Sequence, residues 1–275
     1  MFEKIIQLTG QKAGPTSIIL AGVHGNEKCG IEALQNILPN LEIERGRVWF
    51  GYGNPRAIEN NQRFAETNLN RIFKGDSLLS GDEKKSYEYE RAQFLKKYLD
   101  QASALLDIHA SFTPESKPFI ICEANAKGII ENLPVDLIVS GFDQVEPGGT
   151  DYYMNSLGKI GICVECGYLN DPKSAKIAEK SIFAFLKTRG HLKNDATSRD
   201  QSYLRMYEKY YAKTDSFSLS QSFEDFETIE KDQLIGIDGK EEIRAKKQSL
   251  ILFAHNRKRA GSEAFLLGEK KNSLV

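Results

Sequence analysis

The sequence predicts an α/β fold, a sheet flanked by helices, followed by a smaller β-rich domain. Two observations point there. Across residues 1–195, short β-branched runs alternate with amphipathic segments of helical period, as strands and their covering helices do. Across residues 196–275, short strand-like runs follow one another between turn signals such as Ile237-Asp238-Gly239, the pattern of a small sandwich or barrel.

In chain order, Lys4–Thr9 and Ser17–Ala21 are strand candidates by their Ile-rich composition. Glu27–Leu38 sets Ile31, Leu34, Ile37 and Leu38 at helical spacing and stops at Pro39. Arg47–Tyr52 reads as a strand. Glu83–Leu99 reads as a charged helix with Phe94, Leu95, Tyr98 and Leu99 on its apolar side. Ala104–Ile108, Pro118–Cys122 and Gly161–Glu165 are further strands. Lys173–Thr188 carries an inward stripe of Ile177, Phe183, Ala184 and Leu186. The character changes around residues 191–195. The strand candidates beyond are Leu204–Tyr211, Gln233–Ile237, Glu242–Arg244, Leu250–Phe253 and Ala264–Leu267.

Composition narrows the function classes. Of 275 residues, 40% are hydrophobic and 27% charged, ordinary for a globular protein. The net charge of -1 supplies no field for nucleic acid or an anionic membrane. Asn256-Arg257-Lys258-Arg259 is basic but brief and reads as a solvated turn. No apolar run approaches the roughly 20 residues that span a bilayer. Met1–Thr9 lacks a signal-peptide core, so the cytoplasm is expected. Four cysteines fit a reducing compartment. Cys163 and Cys166 form a C-x-x-C, yet they lie in a strand-like run, where residues three apart point to opposite faces. They read as small buried side chains, not as a redox or zinc pair.

In α/β sheets, sites form where loops leave the carboxyl ends of strands. Ala21-Gly22-Val23-His24-Gly25-Asn26-Glu27 follows the second strand candidate. Residues three apart share a helix face, so His24 and Glu27 can converge on one ion. Taken alone, such a pair is more often a surface turn. His109 lies at the end of another strand, in Asp107-Ile108-His109, whereas His191 and His255 read as surface residues. Two histidines and a carboxylate form a catalytic zinc set with one open position. Asp107 shares a strand face with His109; it either orients that ligand or is an ordinary strand-end polar residue. The loop after Tyr52 carries Arg56, Arg63 and Arg71 among several asparagines. Its guanidinium forks suit a substrate carboxylate, although each could serve a surface ion pair. Glu165 ends a buried strand, where a carboxylate is either a general base or the partner of an arginine.

Together these segments resemble the succinylglutamate desuccinylase/aspartoacylase family, of the wider zinc carboxypeptidase group. The resemblance rests on His24-Gly25-Asn26-Glu27, Asn54-Pro55-Arg56-Ala57, Arg63, Asn70-Arg71-Ile72-Phe73, Asp107-Ile108-His109 and Val164-Glu165-Cys166-Gly167, in that order over residues 17–170. It implies one zinc per chain on His24, Glu27 and His109. It implies Glu165 as base, Arg63 polarising the scissile carbonyl, and Asn70 and Arg71 holding a substrate carboxylate. It also implies a zinc-carboxypeptidase-like catalytic domain ahead of the β-rich one. The chain departs from the family at Asn68, where an aspartate is usual, which bears on substrate preference.

The expected activity is zinc-dependent removal of an acyl group from a small acidic N-acyl amino acid, with water as nucleophile. One alternative is a metallo-carboxypeptidase acting on a short peptide. Another is a non-catalytic metal-binding protein, against which Glu165 and Arg63 together argue. No nucleic-acid or membrane partner is expected, and a homo-oligomer is compatible with the sequence.

Overall fold

The computed structural model describes residues 2–193, 195 and 198–274; Asn194, within the expected change of character, lies outside them. The strands are β1 (Ile6–Thr9), β2 (Lys12–Ala21), β3 (Arg45–Tyr52), β4 (Ala104–Ser111), β5 (Phe119–Cys122), β6 (Leu137–Ser140), β7 (Ile160–Tyr168), β8 (Ser202–Tyr211), β9 (Phe217–Leu219), β10 (Glu227–Ile229), β11 (Leu234–Asp238), β12 (Glu241–Arg244), β13 (Ser249–Leu252) and β14 (Glu263–Lys271). The helices are α1 (Lys28–Ile37), α2 (Pro55–Glu59), α3 (Tyr87–Leu99), α4 (Lys127–Ile130), α5 (Phe142–Val145), α6 (Thr150–Ser156) and α7 (Lys173–Thr188).

An 11-stranded mixed sheet runs β1-β3-β2-β4-β7-β5-β6-β8-β14-β13-β10. Its centre is parallel, β3-β2-β4-β7, and buried on both faces, which is why those strands read as continuous apolar runs. In β2, Ile18 and Leu20 join one core and Ile19 and Ala21 the other, all fully buried. The first face carries Leu95 and Leu99 of α3 and Met154 of α6. The second carries Leu34 of α1 and Phe185 of α7. The helix expected over Glu83–Leu99 is shorter. Ser86 caps it by accepting from the Tyr89 amide at 3.2 Å, and Glu83–Lys85 forms a separate 3-10 turn.

The expected mixed α/β sheet and β-rich C-terminal part are both present. The second half is continuous with the main sheet: β6 pairs in parallel with β8, Leu137 opposite Ser202, and β14, β13 and β10 follow. A small sheet, β12-β11-β9, completes this part, and Phe217, Ile235, Ile243, Ile251 and Phe265 share one core with it.

Candidate active site

The two strand ends that predict ligands meet at the carboxyl edge of the parallel centre. After β2, Gly22 turns the chain in the left-handed region, φ +66, which glycine adopts freely. His24 and Glu27 then close a reverse turn, the Glu27 amide donating to the His24 carbonyl at 3.2 Å. Helix α1 starts only at Lys28, with Glu27 as its N-cap. The pair therefore converges through a turn, not through the shared helix face that its spacing suggests. Gly25 is required here, since a Cβ on it would lie 2.1 Å from the Ala57 carbonyl carbon.

His109 and Glu165 are direct partners across β4 and β7. Strand alternation sends Asp107 and His109 to one face, and Cys163 and Glu165 to the same one, while Cys166 joins the opposite core. The two sulfurs of the C-x-x-C thus diverge, and all four cysteines are free and buried.

Glu27, 2% exposed, is the hub. Its Oε1 lies 2.8 Å from His24 Nδ1 and accepts from Arg63 Nη1 at 3.0 Å. Its Oε2 meets His109 Nδ1 at 2.9 Å and accepts from the Ala110 amide at 3.2 Å. Burial pushes its carboxyl up, but His24 and His109 outweigh this and hold it well below the usual range. Burial, then Arg63, lowers His24 to about 4, so its imidazole is neutral at pH 7. For His109, burial is outweighed by Asp107 and Glu27, which raise it; Asp107 Oδ2 lies 3.2 Å from His109 Nε2.

These residues fit a metal on chemical grounds. The Asn70 amide donates to Asn68 Oδ1 at 3.0 Å, which fixes the orientation of that side-chain amide. The same oxygen faces His24 Nε2 at 3.0 Å, so Nε2 carries the proton and Nδ1 the lone pair. That lone pair faces the Glu27 carboxylate across 2.8 Å without a hydrogen bond. Two buried acceptors so close call for a cation between them. Ligand atoms of His24, Glu27 and His109 all lie within 4.8 Å of one another. Asn68 therefore bears on His24, one of the three clustered candidate ligands, and not only on the Asn70-Arg71 turn beside it in the sequence.

Glu165 is 8% exposed, and its Oε2 has no hydrogen-bond partner among the described residues. Burial, then the charge of Glu27, pushes its carboxyl up to about 8, with His109 and Arg63 opposing. Among the described residues it forms no ion pair with an arginine, the alternative open to it from sequence. Arg63 lies over the Phe112 ring at 4.8 Å, beside the cavity. Asn70 and Arg71 sit on the 3-10 turn Leu69–Arg71 that Asn68 caps. Asn70 Oδ1 accepts from the Thr150 amide at 3.4 Å. Arg71 is engaged by protein: Nε and Nη2 donate to the two Glu263 oxygens at 3.0 Å, Nη2 contacts Glu146, and Nη1 donates to the Asn70 carbonyl.

All seven expected site residues line one cavity of about 470 Å³. So do Asp151, His255, Arg257 and Glu263, which sequence reasoning missed. His255 was expected at the surface and Arg257 in a solvated turn; both face this cavity. His191, also expected at the surface, is fully buried, its ring nitrogens 2.9 Å from the Arg45 carbonyl and 2.8 Å from Ser17 Oγ. Asp225 reaches in from the second half. It accepts from Ser111 Oγ at 2.8 Å, Thr113 Oγ1 at 3.0 Å, Ser116 Oγ at 2.7 Å and the Phe253 amide at 3.2 Å. Those bonds fix the loop that carries Phe112.

Residues 13–189 match the model of the succinylglutamate desuccinylase/aspartoacylase catalytic domain. The chain belongs to this family. The family comprises deacylating hydrolases of amide bonds. A succinylglutamate desuccinylase from Shewanella baltica is 26% identical over 86% of this chain and 76% of its own length. One from Pseudomonas putida is 40% identical over 30% of this chain, a match spanning only 24% of that protein. The crystal structure of the Vibrio cholerae succinylglutamate desuccinylase has the same fold, with a TM-score of 0.81 at 20% identity, over 97% of this chain and 85% of that one. The product-bound ectoine utilization protein EutE from Ruegeria pomeroyi gives 0.70 at 20% identity, over 96% and 87%. Among the described residues, no helix is long and apolar enough to cross a membrane.

Proposed function

We propose that this family member is a zinc-dependent amidohydrolase that removes the acyl group from an N-acyl amino acid. One observation carries the reading: an unpartnered, neutral His24 Nδ1 faces the Glu27 carboxylate, and Glu165 occupies the register position beside His109. His24, Glu27 and His109 would hold the ion, with Asp107 orienting His109. When bound, zinc supplies Lewis acidity toward the carbonyl and water.

The chain's own residues do the rest. Glu165 takes a proton from the attacking water and passes it to the leaving amine. Arg63, turned toward the cavity, stabilises the developing oxyanion; loss of one such donor costs about 3 kcal/mol. Asn70 and Arg71 form the wall against which a substrate carboxylate is oriented. The catalytic unit spans 1–195, and 196–275 closes the cavity. The cytoplasm is its expected compartment.

The test is a panel of N-acyl amino acids and short peptides, offered to zinc-loaded protein. N-acyl amino acids should be hydrolysed, the activity lost to a chelator and restored by zinc. Turnover of peptides alone would make the chain a carboxypeptidase. Stoichiometric zinc with no turnover would make it a binding protein.

A further inference from the structure

We propose that the end of this cavity carrying Asp143 and Asp151 receives an ammonium group of the substrate, so that the chain acts on N-acyl amino acids bearing a basic group. The substrate class rests on the amidohydrolase reading; the cation site does not. Besides Glu27 and Glu165, four acids line the cavity: Asp143, Glu146, Asp151 and Glu263. Glu146 and Glu263 share two cations, Arg71 and Lys209, with Lys209 Nζ 2.6 Å from Glu146 and 3.4 Å from Glu263. Asp143 and Asp151 have no ion pair among the described residues. The other arginines of the lining are engaged elsewhere, Arg63 at the Glu27 carboxylate and Arg257 at the Glu263 carbonyl. Two half-buried carboxylates of like sign repel, and a ligand cation between them removes that cost.

Both carboxylates are held in place. Asn155 Nδ2 donates to Asp143 Oδ2 at 3.0 Å, and Asn155 Oδ1 accepts from the Gly161 amide at 3.1 Å, which fixes the direction of that side chain. Glu123, which also feels Arg205, accepts from the Gly141 amide at 3.0 Å and the Asp143 amide at 3.4 Å, pinning the start of α5. Asp151 lies in the first turn of α6. A Cβ on Gly149 would lie 2.4 Å from Asp151 Oδ1, so glycine is what leaves that oxygen uncovered. Burial, then the charge of Asp143, raises the Asp151 carboxyl to about 6, and burial raises that of Asp143. Asp151 is still ionised at pH 7.5, and without a counter-ion. A second observation brings a polar ligand to this floor. Glu165 Oε2, on a side chain more than nine-tenths buried, is unpartnered and lines the same cavity. Cys163, the next residue along that face of β7, feels both Glu165 and Asp151. The wall there is apolar, with Ile121 directly opposite Cys163 across β5 and β7, and Phe142 beside them. An apolar wall that ends in two unpaired anions suits a short alkyl chain tipped by an ammonium.

Two pairs of probes, each matching an ammonium with a methyl of the same size, test the two halves of the substrate. Nα-acetylornithine against N-acetylnorleucine places the charge on the amine half. N-(4-aminobutanoyl)glycine against N-pentanoylglycine places it on the acyl half. Calorimetry at pH 7.5 on the zinc-loaded full chain, in a Glu165→Gln background to prevent turnover, measures all four. In one pair the cationic probe should bind at least about tenfold tighter than its isostere, an advantage that shrinks as salt is added. Asp151→Asn and Asp143→Asn should each reduce that advantage while leaving the isostere unaffected, and the double variant should abolish it. Where one variant loses the isostere as well, the other alone decides. Equal affinities within both pairs overturn the proposal, as does an advantage that survives in the double variant. No binding of any of the four probes also overturns it. Affinity is read without turnover, so the two readings fail separately. A chain that hydrolyses no amide but loses the cationic advantage with Asp143 and Asp151 would refute the hydrolase reading and keep this one. Hydrolysis of neutral and anionic N-acyl amino acids in preference to basic ones would do the reverse.

Discussion

Glu165→Gln separates chemistry from stability. In the metal-free protein, burial and the Glu27 charge raise the Glu165 carboxyl from 4.5 to about 8. The folded state thus holds a proton between those values where the unfolded state has lost it, so stability falls as pH rises through that window. At about 1.4 kcal/mol per pH unit, a gap of roughly 3.5 units sets a ceiling near 5 kcal/mol. The cavity is open to water, and effective dielectric constants near 20 are typical of such sites, so about 1–3 kcal/mol is expected. Glutamine carries no charge at any pH. Metal-free Glu165→Gln should therefore match the parent within about 1 kcal/mol at pH 5 and exceed it by about 1–3 kcal/mol at pH 8.5. Urea denaturation at the two pH values measures this. A difference between the proteins that stays constant from pH 5 to 8.5 would refute the buried, like-charged environment assigned to Glu165. The zinc-loaded variant should lose about 10²–10⁴ in kcat, or roughly 3–5 kcal/mol of barrier lowering. Parental turnover would remove Glu165 as base.

Three further outcomes follow from the geometry. His109→Ala should lose bound zinc while remaining folded; full stoichiometry by elemental analysis would take it out of the ligand set. Asn68→Leu should weaken zinc by about 10–100-fold through the loss of the His24 acceptor, and Asn68→Asp should tighten it, both read by chelator competition. Equal affinities in all three proteins would show that Asn68 does not set the His24 proton. Asp225→Ala leaves three hydroxyls and an amide without their acceptor, and should cost about 2–4 kcal/mol in a urea titration. A change below about 0.5 kcal/mol would mean that water replaces the carboxylate.

Much of this site is legible in the sequence because strand alternation and strand ends are local. Asp107, His109, Cys163 and Glu165 owe their common face to a period of two, and that period can be counted without coordinates. His24 and Glu27 were found by spacing, although a turn and not a helix brings them together. Two of the four-residue elements, β6 and α5, were not found, being too short to show a period. Without β6, nothing local says that β8 continues the main sheet. Arg257 and His255 were missed for the same reason, since they reach the cavity only through the pairing of β8, β14 and β13. The charge run around Arg257 resembles any solvated turn until its neighbours are known. Arg71 shows the reverse: its motif suggests a free clamp, and only the folded chain reveals Glu146 and Glu263 beside it.

Asp225 carries a consequence for turnover. Its two oxygens accept four hydrogen bonds from segments on both sides of the cavity. The loop bearing Phe112 is therefore ordered when the chain folds, and Arg63 rests on a ring already in place. No fresh ordering entropy accompanies each substrate that enters, as it would with a loop that closes on arrival. The rate of product departure should then respond to the viscosity of the solvent no more than simple diffusion requires.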